Sequence, residues 1–448
     1  MSVVPSSSVD SPSPGATGLD VRPFRALTYR RHDPEHLARV SSPAYDLVSP
    51  SGRDRLAGAD PHNVVRLILP RGGVANGSNA GPPAADPPPA GDPLRSAAGT
   101  LASWRADGVL VRDVVPALWV YELQPPDGAP ATVGWLGAVA LPPAGSSAVL
   151  PHEDTYPPAV EGRRALLAAT ATDLEPIVLA HDPSPRAAEL ARDVSLRPAT
   201  LAFRDDDGVW HRLWRVTDEP TLRQVVGALA ATQAVIADGH HRFAAALAHH
   251  RSDPRRPGSD AVLALVTSSG PGGLRVEAIH RVVPDLPFDR AVATAATRFT
   301  VSEVGSGRDC PEAERLARTW LAEPGARGLL VSDGRRVVAL TEPSAEALAA
   351  VPTEAPAAWR GLDVVLAHHA LLDGPWSVPD DPATVVIAHD VSAALRTAAE
   401  RSGTAVLLRP PSPADVAAVA RAGARMPRKS TLFVPKPRTG LVLRPLDD

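Results

Sequence analysis

Cysteine is nearly missing from this 448-residue sequence, where Cys310 stands alone. A single thiol excludes an intrachain disulfide and any thiolate cluster for zinc or iron–sulfur chemistry, and it fits a reducing compartment. Lysine is almost as scarce: Lys429 and Lys436 are the only two among 46 basic residues. Strong net charge is lacking too, at −4, so there is no global basic field of the kind that drives backbone-dominated nucleic-acid binding. No apolar run approaches the roughly 18 residues of a membrane-spanning helix. The opening stretch MSVVPSSSVDSPSPGATGLD has no basic region followed by an apolar one. The expectation is a cytoplasmic protein, neither exported nor membrane-bound.

What is there is ordinary globular composition, 44% hydrophobic and 21% charged, in a chain long enough for two large domains or about three typical ones. Residues 1–20 are rich in Ser and Pro and predict a disordered tail. RGGVANGSNAGPPAADPPPAGDP (71–93) is too dense in Gly and Pro to bury much apolar area, and it predicts a disordered insertion. Elsewhere helical and strand patterns alternate. ALWVYELQP and WLGAVALP read as strands, and EGRRALLAATA as a helix. SPRAAELARDVS reads as a helix opened by Ser184 and Pro185, and TLAFRDDDGVWHRLWRVTD as a hairpin turning at Asp207-Gly208. From about residue 286 a second series of helices and hairpins follows. The expected organisation is mixed α/β, with an N-terminal domain over 21–285 and a C-terminal domain over 286–448 that carries MPRKSTLFVPKPRTG.

The stretch AVIADGHHRFAAALAHH (234–250) concentrates chemistry. TQAVIA is a short β-prone run and RFAAALAHHR a strong helix former, which places Asp238, Gly239, His240 and His241 in a strand-to-helix turn. Gly239 permits a left-handed turn and close approach of a ligand, and a helix N-terminus presents backbone N–H groups with positive dipole character. Such a corner attracts anions. Arg242 and the histidines add donors for a phosphate, while Asp238 can hold magnesium or act as a base. The competing view is that Asp238 merely caps the helix and one histidine satisfies a buried carbonyl. His241 and His249 are eight apart, not the four that lets two histidines share a metal on one helix.

Other candidates are more scattered. In a chain so biased to arginine, Lys429 and Lys436 are candidate phosphate ligands, because a compact ammonium is what distinguishes lysine. His152 and Glu153 follow a short apolar run at a predicted strand end, where a general base or metal ligand fits. Arg22, Tyr45, Asp46, Asn63, Arg66, His280 and Arg281 are weaker substrate-contact candidates, each equally suited to a structural ion pair or turn. The doublets His32-Asp33, His181-Asp182 and His389-Asp390 fit helix caps and strand ends better than a metal phosphohydrolase pair. No Walker loop, dinucleotide fingerprint or nucleophile-elbow serine is present: SGPGGLR lacks the lysine, and GSGRDC lacks the strand–turn–helix setting.

Several segments together resemble the bacterial and archaeal family catalogued as domain of unknown function 1015. They are RPFRAL (22–27), SPAYDLVSP (42–50), HNVVRLILP (62–70), VLPHEDT (149–155), HRLWRV (211–216), ADGHHRF (237–243), IHRVV (279–283) and MPRKSTLFVPKPRTGLVLRPL (426–446). Ser42 and Ala44 depart from the prolines expected before Tyr45 and Asp46, and 71–93 looks like an insertion. The Asp-Gly-His-His-Arg turn alone is similar to a motif of the ParB/sulfiredoxin superfamily, which includes free serine kinases. That resemblance implies a ParB/sulfiredoxin-like strand-turn-helix core with nucleotide phosphate bound at the turn. The wider family's association with serine-biosynthesis enzymes implies serine or O-phosphoserine as substrate.

Two classes of function follow, with a third behind them. One is a phosphotransfer enzyme on a small hydroxyl or phosphorylated amino acid, with ATP or ADP as co-substrate, Mg2+ as helper and His152 or Glu153 assisting proton transfer. In it, His241→Ala and Arg242→Ala each abolish turnover and leave the fold intact. Another is a non-catalytic module that senses a nucleotide or phosphometabolite at the same corner. A ParB-like DNA role is disfavoured by the net charge and the absence of a basic, aromatic-interleaved stripe.

Overall fold

The computed structural model describes residues 18–71, 92–270, 272–323, 328–379, 381 and 383–447. Most of the Ser/Pro-rich tail and of the 71–93 segment lies outside the described residues. The chain divides into two units. The first comprises 1–150, 155–273 and 436–448, and the second 151–154 and 274–435. The division expected at 285/286 therefore falls inside the second unit. MPRKSTLFVPKPRTG is cut between residues 435 and 436, and its last part belongs to the first unit.

In the first unit, nine strands among the described residues form one mixed sheet. They are β1 (Val21–Arg22), β2 (Leu118–Gln124), β3 (Thr132–Ala140), β4 (Val149–Leu150), β5 (Ile177–His181), β6 (Leu201–Arg204), β7 (Trp210–Val216), β8 (Ala234–Asp238) and β9 (Ala261–Ser268). Their order is β4-β8-β5-β9-β3-β2-β7-β6, with β1 on β3. Only β4/β8 and β5/β9 run parallel. The strands read as nearly continuous apolar runs because both faces are covered. Along β2, Leu118 and Val120 enter one core, while Trp119, Tyr121 and Leu123 enter the other, the alternation that a pleated strand imposes.

The helices of this unit start where their sequences say. Helix α1 (Pro157–Thr170) opens on two prolines. Ser184 caps α2 (Pro185–Ser195) by accepting from the Ala187 N–H, and Asp218 caps α3 (Glu219–Leu229) through Thr221. The β6/β7 hairpin turns through Gly208 at φ 82°, as the Asp-Gly pair requires. Helix α4 (His240–Ser252) follows β8 directly, as expected for ADGHHRF.

The second unit has its own antiparallel sheet: β10 (His280–Val283), β11 (Thr300–Ser306), β12 (Leu329–Ser332), β13 (Arg336–Thr341), β14 (Val386–Ala388) and β15 (Thr404–Leu407), in the order β11-β13-β12-β15-β10-β14. Helices α5 (Cys310–Ala322) and α6 (Val391–Glu400) bury Ala313, Ala317, Ala394, Leu395 and Ala398 in its core. Asp390 caps α6 and Asp33 caps the short helix Pro34–Val40, so two of the His-Asp doublets are capping residues. No helix among the described residues is long and apolar enough to cross a membrane.

Candidate functional site

The strand-to-helix turn is built from a bulge, a glycine and an uncapped helix. Pairing of β8 with β5 shifts register between Ile236 and Asp238, an irregularity that re-aims the Asp238 side chain at the strand end. Gly239 sits in the left-handed region at φ 94°, and no side chain caps α4. A Cβ at residue 239 would lie 2.7 Å from Ile177 Cγ2, so glycine is required by packing as well as by backbone.

Five side chains converge on this turn from four distant segments. Lys436 Nζ lies 2.7 Å from Asp238 Oδ1 and 2.8 Å from Asp46 Oδ2. Arg242 Nη2 donates to Asp238 Oδ2 at 2.5 Å, one helical turn on, and its Nη1 donates to the Pro176 carbonyl at 2.5 Å. Behind them lies Glu175, almost fully buried, whose Oε1 accepts from the Tyr45 N–H at 3.0 Å and from Thr439 Oγ1 at 3.1 Å. The Tyr45 ring centroid lies 4.1 Å from the Arg163 guanidinium and 5.8 Å from that of Arg242.

This corner is charge-balanced rather than electropositive. Arg163, Arg242 and Lys436 face Asp46, Glu175 and Asp238, so the anion-attracting cradle expected from the turn alone is here largely matched by carboxylates from elsewhere in the chain. Burial opposes the Lys436 charge, but Asp238 and Asp46 outweigh it and hold the ammonium well above the usual lysine range. Burial likewise raises the Asp46 carboxyl, and Lys436 overrides that and holds it low. Glu175 goes the other way: burial raises it, and Arg242 and Arg163 offset only part of the rise.

Sequence reasoning thus finds Asp238, Gly239, Arg242, Lys436, Tyr45 and Asp46, all of which the fold brings together. His241 stands beside them, its Nε2 accepting from the Tyr156 N–H at 3.1 Å, and His240 is buried as the first residue of α4. His152 and Glu153 belong to the second unit, where Thr431 Oγ1 is 3.0 Å from His152 Nε2 and donates to Glu153 Oε1 at 3.3 Å. Lys429 also belongs to that unit, at φ 51°. Its carbonyl, and that of Arg428, accept from the buried Arg281. His280 Nδ1 accepts from the Leu408 N–H.

Three weaker candidates have structural partners. Arg22 bridges Asp20 and Asp260, each at 2.6 Å. Asn63 donates to the carbonyls of Arg39 and Ser41 and accepts from the Val65 N–H. Arg66 donates to the Ala57 carbonyl. Glu175, Arg163 and Thr439 were missed. The one local signal was an acid just ahead of the buried strand IVLAH, a place where a carboxylate needs a partner.

The chemistry open to this cluster is that of two carboxylates converging on one cation beside a helix N-terminus. Magnesium is commonly held by one or two carboxylates plus phosphate oxygens, and Asp46 and Asp238 fit that role. Among the described residues no group of three His, Cys, Asp or Glu side chains could hold a metal by itself.

The fold and site define a mixed α/β protein with a buried ion cluster at a strand-turn-helix corner. The family model described as "Protein of unknown function (DUF1015)" matches residues 21–365, and the chain belongs to that family. No curated protein matches it. Among solved structures, it is similar to a free serine kinase in complex with AMP, at 12% identity over 64% of this chain and 84% of that one, with a TM-score of 0.30. SbnI with C-terminal truncation from Staphylococcus aureus shares 13% identity over 67% and 82%, with a TM-score of 0.34. A conserved hypothetical protein from Pyrococcus furiosus shares 12% over 64% and 87%, with a TM-score of 0.29.

Proposed function

We propose that this protein is a cytoplasmic phosphotransfer enzyme that moves a phosphoryl group between a nucleotide and a small hydroxyl amino acid, serine in the first instance. The observation that carries the reading is the meeting of Lys436 with Asp238 and Asp46 at the N-terminus of a helix opened by a left-handed glycine. Phosphoryl transfer asks little covalent chemistry of a protein and much positioning and charge neutralisation, which this cluster supplies. The helix terminus and Lys436 receive the phosphate oxygens, and Asp46 would hold a magnesium ion that neutralises their charge. In the kinase direction the serine hydroxyl oxygen forms the new O–P bond as the bond to the leaving ADP oxygen breaks. The hydroxyl proton passes to the Asp238 carboxylate. The reverse sequence consumes O-phosphoserine.

One observation favours a binding-only alternative. Both terminal nitrogens of Arg242 are already engaged, by Asp238 and by the Pro176 carbonyl. A sensor of nucleotide or phosphometabolite needs no more than the remaining donors. Phosphorus NMR on the purified full chain with Mg2+ separates the two, using ATP with serine, ADP with O-phosphoserine, and O-phosphoserine alone. The expected result is nucleotide-dependent turnover that falls about a hundredfold or more in Lys436→Met. Calorimetric nucleotide binding without turnover selects the sensor, and neither binding nor turnover overturns both. Phosphate released from O-phosphoserine without nucleotide makes the enzyme a phosphatase on the same cluster.

A further inference from the structure

We propose that Asp205, His211 and Tyr121 form a proton-ordered relay that positions the C-terminal segment, and with it Lys436, and that protonation of His211 releases that segment. The significance for catalysis rests on the function proposed above; the relay itself does not. The row is buried throughout and lies wholly in the first unit. The Tyr121 hydroxyl on β2 accepts the Arg438 backbone N–H at 3.1 Å and lies 2.8 Å from His211 Nδ1 on β7. His211 Nε2 is 3.0 Å from Asp205 Oδ2, and Arg438 Nη1 approaches the same oxygen at 3.5 Å. Phe203 on β6 stacks on the imidazole at 4.9 Å.

Counting protons gives the row a direction. The Arg438 N–H can only donate, and an ionised Asp205 can only accept. With His211 neutral and protonated at Nε2, each contact has one donor and one acceptor. The N–H of residue 438 gives to the tyrosine oxygen, the tyrosine hydroxyl gives to Nδ1, and Nε2–H gives to Asp205. A second proton on Nδ1 must point at the same tyrosine oxygen. The hydroxyl hydrogen is then turned out of the row inside a dry site, and an imidazolium stands near the Arg438 guanidinium. Tyr121, Asp205 and Arg438 are the titratable and charged groups that act on His211 there. Burial holds the imidazole below the usual histidine value, against the pull of Asp205. The relay is therefore intact at neutral pH.

The released part is short, because the rest of the segment has other anchors. Arg438 is two residues from Lys436, and the released part ends at Thr439, whose N–H is bound to the Ser42 carbonyl and opens with it. Beyond it Leu441 and Val442 are in the core, Arg444 pairs with Asp173 at 2.7 Å, and the Leu443 N–H is bound to the Leu27 carbonyl.

Hydrogen exchange of the full chain, corrected for intrinsic rates and compared at about pH 7.5 and about pH 5.5, tests this without substrate, so its failure is separable from failure of the enzymatic reading. The expected result is a loss of protection approaching tenfold at Arg438 and Thr439 on acidification, with Leu443 unchanged. In His211→Gln, which keeps a donor to Asp205 but takes no second proton, protection at 438 and 439 should not depend on pH. In Tyr121→Phe it should be low at both pH values. Equal wild-type protection at both pH values overturns the proposal, as does the same acid-dependent loss in His211→Gln. Should either variant fail to fold, the wild-type contrast between residues 438 and 443 decides alone.

Discussion

Arg242 and His241 are adjacent in sequence and differ in what holds them. The Arg242 guanidinium is buried among Glu175 and Asp238, which keep it above its already high usual range despite the cost of burial. Its removal leaves those carboxylates facing one cation fewer, and breaking a buried pair from one side typically costs about 3–5 kcal/mol. Arg242→Ala should therefore lower unfolding free energy by about that amount in urea titrations, contrary to the sequence-based expectation of an intact fold. His241 is half-buried, and its Nε2 accepts a neutral hydrogen bond from the Tyr156 N–H. His241→Ala should stay within about 1 kcal/mol of wild type. If the two substitutions prove equally mild, the ion cluster contributes little to the fold.

At the scale of elements, the β8–Gly239–α4 junction ties a backbone requirement to the geometry of the site. Gly239→Ala meets both a positive φ and a 2.7 Å approach to Ile177 Cγ2, and a cost of about 1–3 kcal/mol is expected. Thermal unfolding of the variant checks it, and an unchanged midpoint would mean the turn relaxes without strain. This junction, the β6/β7 hairpin and the Ser184 cap were all legible in the sequence, because each obeys a local rule of turn, cap or period. The ion cluster was legible only in part. Lys436 was singled out by its rarity, yet its partners Asp46 and Asp238 come from distant segments, and Glu175 bonds to residue 45 across 130 positions and to residue 439 across 264. Spacing carries no information about such pairs. The balance of charge at the corner was therefore misread from the turn alone, and the return of residues 436–448 to the first unit was likewise hidden.

Across the whole molecule, titration runs mostly in one direction. Five buried histidines, His36, His181, His211, His249 and His280, are each held below the usual value, with burial the leading cause. A histidine depressed in the folded state contributes fully above its unfolded pKa of about 6.5, and its contribution is lost as pH falls toward the folded value, because the unfolded chain then binds the extra proton. Glu175, raised by burial, works in the opposite sense and supports the fold as pH falls through its own range. The case with a stated value is His280, lowered to about 4 by burial, with Nδ1 accepting the Leu408 N–H inside the second unit. Between about pH 6.5 and pH 4 this residue alone should cost stability at a slope of about 1.4 kcal/mol per pH unit, on the order of 3 kcal/mol in all. His280→Asn can offer an acceptor to the same N–H and does not titrate in this range. Denaturant titrations across the window should show the wild-type slope exceeding that of His280→Asn by about one proton, with the two proteins closest near pH 7. Parallel slopes would mean that His280 is protonated in the folded protein as readily as in the unfolded chain.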